Sequence, residues 1–116
     1  MRDRDRFALE NILEQCEIIR QALERHQLSP EVLSDDGFLY NACCMSIFEI
    51  GEEVKKLSRE FVEAYPEQQW NEIAKMRDKI GHHYGDLNVL YIWKVVTEDI
   101  EKLAETCKKG LDELSE

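Results

Sequence analysis

Proline and glycine are scarce in this chain, whose 116 residues include two prolines and five glycines. An all-β fold needs many tight turns, and those turns depend largely on these two residue types. Hydrophobic residues make up 43% of the chain and charged residues 34%, a balance rich in residues that favour helices. The composition therefore predicts an all-α fold.

The chain also lacks a long apolar run. Its longest, residues 89–96, is interrupted by Lys94 and is far shorter than the roughly 20 residues that span a bilayer. At the start of the chain, residues 1–6 alternate basic and acidic groups, and no apolar stretch typical of a secretory signal follows. We therefore expect no membrane span and a cytoplasmic location.

Positive charge is in deficit. The chain has 15 lysines and arginines against 25 aspartates and glutamates, which gives a formal net charge of −10. Nucleic acid and anionic membranes repel such a chain unless a local basic patch meets them. Any nucleic-acid chemistry is therefore expected at one local site.

Common metal and catalytic motifs are missing as well. The chain has no His-Glu-x-x-His, no glycine-rich phosphate loop and no Gly-x-Ser-x-Gly elbow. Its four cysteines show no Cys-x-x-Cys spacing, and each lies on or beside an apolar stripe, where a reduced thiol packs as a small hydrophobic group. We expect structural thiols, no metal site and no cofactor. The cysteines are Cys16, Cys43, Cys44 and Cys107.

Apolar residues recur every three or four positions in four segments, which predicts four main helices. The first covers about residues 5–27, the second starts after Asp36, the third begins near Glu67, and Asn88 caps the last. Gly51 lies inside the second helix and predicts a close approach by another backbone. Because the connectors are short, we expect one domain over residues 1–116 that forms an antiparallel four-to-five-helix bundle.

Shorter signals lie between these helices. Ser29 followed by Pro30 predicts a helix of one or two turns, and Ser58 is placed to cap another. Tyr65 precedes a proline and so is expected to end that second short helix. His26 falls at the end of the first helix, where we expect a solvated or capping residue.

Residues 76–85 concentrate the groups that can transfer a proton or bind a phosphate. They include Arg77, Lys79, His82, His83 and Tyr84. On a regular helix Arg77 and Tyr84 share a face, whereas His82 lies about 140° round the axis from Arg77. Either the helix loosens at the intervening glycine, or the site combines this stretch with its copy across a two-fold axis.

The residue types suit phosphodiester cleavage without a metal ion. An imidazole changes its charge near neutral pH and can exchange protons, and arginine binds phosphate oxygens with a planar fork. Arg77 and His82 are the candidate catalytic residues, and Lys79 and His83 are weaker candidates for substrate binding. On spacing alone, a basic helix end that packs beside a polar histidine is the alternative, because this spacing arises easily by chance.

An ordered set of residues over about 40–103 resembles the HEPN-domain toxins of the HepT type. Its centre is Arg-x4-His-x-Tyr, here Arg77, His82 and Tyr84. Gly81 and Gln69 depart from the expected pattern, since an apolar residue and a proline would be usual there, and Gly81 is expected to loosen the helix. The matching residues are Ile50-Gly51-Glu52, Leu57-Ser58, Trp70, Ile73, Met76-Arg77-Asp78, His82, Tyr84 and Trp93.

The resemblance implies a HEPN-like helical bundle that acts as a homodimer, with a metal-independent RNase site at the dimer cleft. Arg77 would then stabilise developing charge, and His82 would act as general base or acid on an RNA substrate. The implied partner is a minimal nucleotidyltransferase (MNT) antitoxin, which would silence the toxin by AMPylation of Tyr84. A non-catalytic helical partner of a nucleotidyltransferase is the alternative function.

Overall fold

The computed structural model describes residues 2–83 and 87–115, with side chains for residues 3–82 and 87–115. The regular segments of this part of the chain are helices, with no strand among them. The predicted all-α fold is confirmed. The helices are α1 (Arg2–Arg25), α2 (Pro30–Asp35), α3 (Gly37–Lys55), α4 (Arg59–Ala64), α5 (Trp70–His83), α6 (Val89–Lys94) and α7 (Ile100–Leu114).

In the described part of the chain, four long helical segments form the bundle, because α6 continues into α7 through a π-helical turn at Val95–Asp99. Helix α1 packs against α3 and α7, and α3 also packs against α5. The periodicity predicted a continuous last helix and did not reveal the π-helical turn. None of the helices in the described ranges is both long and apolar enough to cross a membrane.

Side-chain caps start several of these helices. The predicted caps Ser29, Ser58 and Asn88 are confirmed, since each side-chain oxygen accepts a backbone N–H at 2.7 to 3.1 Å. Asp36 caps α3 in the same way. The buried carboxylate of Asp5 also accepts hydrogen bonds from the Ser58 backbone and hydroxyl, both at 2.7 Å, and so ties α1 to the start of α4.

Helix α5 begins at Trp70, so the predicted start near Glu67 is wrong. The backbone N–H of Gln68 donates to the Tyr65 carbonyl at 3.2 Å, and the Trp70 indole N–H donates to the same oxygen at 3.0 Å. These bonds hold the chain after Pro66 in a turn. The helix therefore starts about one turn later than predicted.

The four cysteines are free and buried in the core, which confirms the structural role expected for them. Burial raises the pKa of the Cys16 thiol to about 12 and that of Cys43 to about 11. A thiol with a raised pKa stays protonated at neutral pH and is a poor nucleophile. His26 is exposed just after α1, as expected for a solvated residue.

The predicted close approach at Gly51 is confirmed. A Cβ atom built at Gly51 would lie 2.2 Å from the Cβ atom of Arg77, so α3 and α5 meet there with no room for a side chain. The expected loosening at Gly81 is wrong, because α5 stays helical as far as His83. Gly81 instead leaves space beside Arg77, since an added Cβ would lie 3.2 Å from the guanidinium Nη1.

We expect Gly51→Ala to lower the free energy of unfolding by about 1–3 kcal/mol, although alanine favours helices more than glycine does. The new methyl group would push α3 and α5 apart at Arg77. Gly37→Ala is the matched control, because nothing lies within 4 Å of a Cβ atom added at this helical glycine. Urea unfolding of the variants measures both effects, and equal stability of Gly51→Ala and wild type would contradict the tight crossing.

Candidate functional site

The Arg77 guanidinium is held on several sides where α3 crosses α5. Its Nε–H donates to the Glu52 carboxylate, and its Nη1 lies 3.4 Å from an Asp78 carboxylate oxygen. The guanidinium lies over the Phe48 ring in a cation–π contact, with Cζ 4.6 Å from the ring centroid. Only 24% of the Arg77 side chain is exposed. The arginine is therefore fixed in position and still reachable from solvent.

A second ion pair extends this network. The Lys55 ammonium donates to the Asp78 carboxylate at 2.8 Å. That hydrogen bond, together with the charges of Lys55 and Arg77, holds the pKa of Asp78 below its ordinary value. Asp78 is thus negatively charged at neutral pH. With Glu52, it balances the two cations, so the site in one chain is not a free basic patch.

His82 lies apart from this network. Its side chain is exposed and makes no hydrogen bond or ion pair with the residues that the structure describes. Because α5 is regular from Trp70 to His83, His82 projects about 140° round the helix from Arg77 and lies about 7.5 Å further along the axis. One chain therefore does not direct the two candidate catalytic side chains at one point.

Of the remaining candidate side chains in residues 76–85, the structure describes that of Lys79. Lys79 is exposed, and its ammonium lies 4.6 Å from the ring centroid of Tyr91 on α6, away from Arg77. The side chain of His83 and all of Tyr84 lie outside the described residues. Their predicted roles stay predictions.

An apolar cleft adjoins the Arg77 network on the surface between α3 and α5. Its volume is about 360 Å³. Phe48, which contacts the Arg77 guanidinium, forms one wall, and the exposed Met45 forms another. Phe38 lies seven residues before Met45 on the same face of α3 and is 81% exposed. The cleft is lined by Asn41, Cys44, Met45, Phe48, Ile80 and Gly81.

A larger groove of about 430 Å³ runs between α1 and the last helical segment. Its floor is apolar, with Leu13 and Ile100 among its walls, and neither Arg77 nor His82 lines it. This groove is larger than the cleft between α3 and α5, but the two candidate catalytic residues lie elsewhere. Among the described residues, no group of three or more histidine, cysteine or acidic side chains is arranged to hold a metal ion.

Sequence reasoning missed Glu52 and Phe48 as parts of the site. Both lie on the second predicted helix, where the charge pattern places Glu52 on a solvated face. A usable signal is present, because Gly51 predicts a close approach next to Glu52. An arginine side chain at that crossing would be expected to form an ion pair with the adjacent carboxylate.

Comparisons with known proteins agree on one family. A family model described as Ribonuclease HepT-like matches residues 12–110. A protein of Caldanaerobacter subterraneus subsp. tengcongensis, named as a putative RNase, is 37% identical over 103 residues, which cover 89% of this chain and 90% of that protein. A Thermococcus cleftensis protein named as a probable ribonuclease HepT is 36% identical over 95 residues, which cover 82% of this chain and 84% of that protein.

A third relative is longer. The Methanocaldococcus jannaschii protein named as a gamma-glutamylcyclotransferase and putative RNase is 34% identical over 114 residues, which cover 98% of this chain and 50% of that protein. This chain therefore corresponds to about half of that relative. No solved structure gives a significant match.

Proposed function

Because the chain belongs to the family of HepT-like ribonucleases, we propose that it is an endoribonuclease that cleaves RNA without a metal ion or other cofactor. The observation that carries this proposal is the arrangement on α5. A restrained, partly exposed arginine lies next to Phe48 and Gly81, which line an accessible cleft, and an exposed histidine lies on another face of the same helix. Arginine binds phosphate oxygens, and histidine transfers protons.

The proposed active site is composite and needs a homodimer. Arg77 and His82 of one chain diverge on a regular helix, so the two groups meet only if Arg77 of one copy faces His82 of the other. A two-fold axis beside α5 would create two such pairs at one cleft.

The exposed face of α3 supports a second copy as the partner. Phe38 and Met45 present large apolar side chains to solvent, and the cleft continues this surface past Phe48 to Gly81, beside Arg77. A contiguous exposed apolar patch typically marks a protein interface. A homodimer that buries this face would bring both α5 helices close to the axis.

The proposed reaction starts with attack by the RNA 2′-oxygen on the adjacent phosphorus. His82 of one copy acts as the general base that accepts the 2′-hydroxyl proton, or His82 of the second copy acts as the general acid that donates a proton to the departing 5′-oxygen. A 2′-O–P bond forms and the P–O5′ bond breaks, which leaves a 2′,3′-cyclic phosphate and a 5′-hydroxyl. Arg77 stabilises the charge that develops on the non-bridging oxygens.

We expect cleavage of RNA to persist in EDTA and to stop when the attacking 2′-hydroxyl is replaced by hydrogen. Arg77→Ala and His82→Ala should each lower kcat by about a hundredfold or more, as removal of a proton-transfer group or a charge-stabilising donor does. His83→Ala is the control, because the resemblance places the motif histidine at His82, and its loss should be smaller. Gel assays of a labelled RNA oligonucleotide measure all of these changes.

Three results would count against this chemistry. Equal cleavage of DNA would remove the role of the 2′-hydroxyl. Inhibition by EDTA would indicate a metal-dependent reaction. A loss in His83→Ala as severe as that in His82→Ala would show that the motif histidine has been assigned to the wrong position.

Regulation is proposed to act through Tyr84 in a toxin–antitoxin pair. An MNT-type nucleotidyltransferase antitoxin in the same cytoplasm would transfer AMP from ATP to the Tyr84 hydroxyl, with release of pyrophosphate. The adduct adds negative charge and a bulky nucleoside seven positions after Arg77 in the sequence. The added phosphate would compete with RNA for Arg77, so AMPylation would inhibit cleavage.

We expect the intact mass to rise by one or more AMP units when the chain is incubated with its cognate nucleotidyltransferase, ATP and magnesium. Tyr84→Phe should prevent the increase because it lacks the acceptor hydroxyl, while its circular dichroism stays that of wild type. An unchanged mass, or an adduct that peptide mapping places on Tyr40, Tyr65 or Tyr91, would contradict this regulation.

The net charge of −10 favours one alternative, a non-catalytic helical partner that docks on a nucleotidyltransferase. The two functions differ in a direct way. The nuclease arrests growth on expression and loses this effect in His82→Ala, whereas a docking partner has no RNase activity to lose. Cleavage by the purified chain in EDTA would exclude the alternative.

A further inference from the structure

We propose that Glu52 is a positioning residue, which orients the Arg77 guanidinium for the scissile phosphate. This inference rests on the proposed nuclease function and adds a residue to that site. Glu52 touches no reacting atom in the proposed reaction. It acts through the hydrogen bond that its carboxylate accepts from the Arg77 Nε–H.

The direction of this bond decides which edge of the guanidinium remains available. Glu52 accepts the hydrogen bond from Nε, whereas the Asp78 carboxylate oxygen lies 3.4 Å from Nη1, a long distance for a hydrogen bond. Among the described residues, Nη2 has no hydrogen-bond acceptor. The edge formed by Nη1 and Nη2 can therefore donate two parallel hydrogen bonds to phosphate oxygens, which is the geometry that arginine prefers.

Neighbouring residues restrain the group as well. The guanidinium Cζ lies over the Phe48 ring, 4.6 Å from its centroid, and Gly81 leaves space for Nη1. Gly51 brings the Arg77 Cβ atom close to the α3 backbone, directly before Glu52. The close contact at Cβ, the cation–π contact with Phe48 and the bonded Nε together leave the side chain little rotational freedom.

Lys55 limits competition from the nearest other carboxylate. Its ammonium donates to Asp78 at 2.8 Å, a shorter distance than the 3.4 Å between Asp78 and Arg77 Nη1. The stronger bond draws Asp78 toward Lys55. A phosphate that binds the edge formed by Nη1 and Nη2 of Arg77 therefore displaces a weak interaction with Asp78 and not a tight ion pair.

The negative charge of Glu52 also opposes phosphate binding at Arg77. This effect is opposite to positioning and makes the proposal testable. A carboxylate next to Arg77 repels the phosphate, so its removal should leave RNA binding unchanged or make it tighter. If Glu52 positions Arg77, the same removal slows the chemical step, because the donors are no longer aimed at the transition state. If Glu52 only competes with RNA, its removal speeds cleavage.

The test compares Glu52→Ala with Glu49→Ala in the full chain, with a labelled RNA oligonucleotide as the probe. Glu49 is a matched control because it is an exposed glutamate one turn earlier on α3 and makes no ion pair with the described residues. We expect Glu52→Ala to lower kcat by about ten- to a hundredfold with KM unchanged or lower, since small misplacement of a catalytic group costs this much. Glu49→Ala should retain wild-type kcat.

Two further variants separate positioning from general loss of structure. Glu52→Gln keeps the size and a hydrogen-bond acceptor, so it should lose less kcat than Glu52→Ala. In an Arg77→Ala background, Glu52→Ala should cause no additional loss, because Glu52 acts only through that arginine.

Wild-type or faster kcat in Glu52→Ala would overturn the proposal, as would an equal loss in Glu49→Ala or an additional loss in the Arg77→Ala background. If the wild type cleaves no RNA, the nuclease function itself fails, and the role of Glu52 fails with it. An active wild type beside an unimpaired Glu52→Ala variant instead rejects the role of Glu52 alone.

Discussion

The crossing of α3 and α5 at Gly51 sets both the packing of the bundle and the geometry of its candidate site. The missing side chain at Gly51 lets the backbone of α3 approach Arg77, where an added Cβ atom would lie 2.2 Å from the arginine Cβ. The next residue, Glu52, then lies opposite the guanidinium and accepts its Nε–H. The packing of the bundle and the position of the Arg77 guanidinium therefore depend on the same crossing.

The restraint on Arg77 keeps it apart from His82, the other catalytic candidate. Because Arg77 is restrained by Glu52 and Phe48, it cannot swing round α5 toward His82 without breaking an ion pair and a cation–π contact. His82 is exposed on a different face of the same regular helix. The homodimer of our proposal would bring the two groups together across the axis, since Phe38 and Met45 are exposed on α3 and the cleft lined by Met45 extends to Phe48 and Gly81, next to Arg77.

Local features of the fold were predictable from the sequence because they depend on residues close together in the chain. Ser29, Ser58 and Asn88 cap their helices with backbone groups two or three positions away. Gly51 was informative because a glycine inside a strong helical pattern weakens the helix and is typical of a position where another backbone approaches closely. The family resemblance at Arg77 agrees with the matched family model, which extends over residues 12–110.

Other features of the fold were not predictable from helical periodicity. The late start of α5 follows from hydrogen bonds that the Gln68 backbone and the Trp70 indole donate to the Tyr65 carbonyl, and apolar spacing does not predict such bonds. The pair formed by Glu52 and Arg77 joins residues 25 positions apart, so helical periodicity places each on a face but does not bring the faces together. The π-helical turn at Val95–Asp99 has no signal in the apolar stripe.

The central claim, that each active site takes Arg77 from one chain and His82 from the other, is tested most directly by mixing two inactive variants. Arg77→Ala and His82→Ala dimers should each be inactive, yet subunit exchange between them should restore RNA cleavage, because the hybrid dimer contains one intact pair. Adding Phe38→Asp to both variants should abolish this recovery, whereas the similarly exposed Phe7→Asp should preserve it. An exchanged mixture that stays inactive, with hybrid dimers detected by native mass spectrometry, would contradict the composite site.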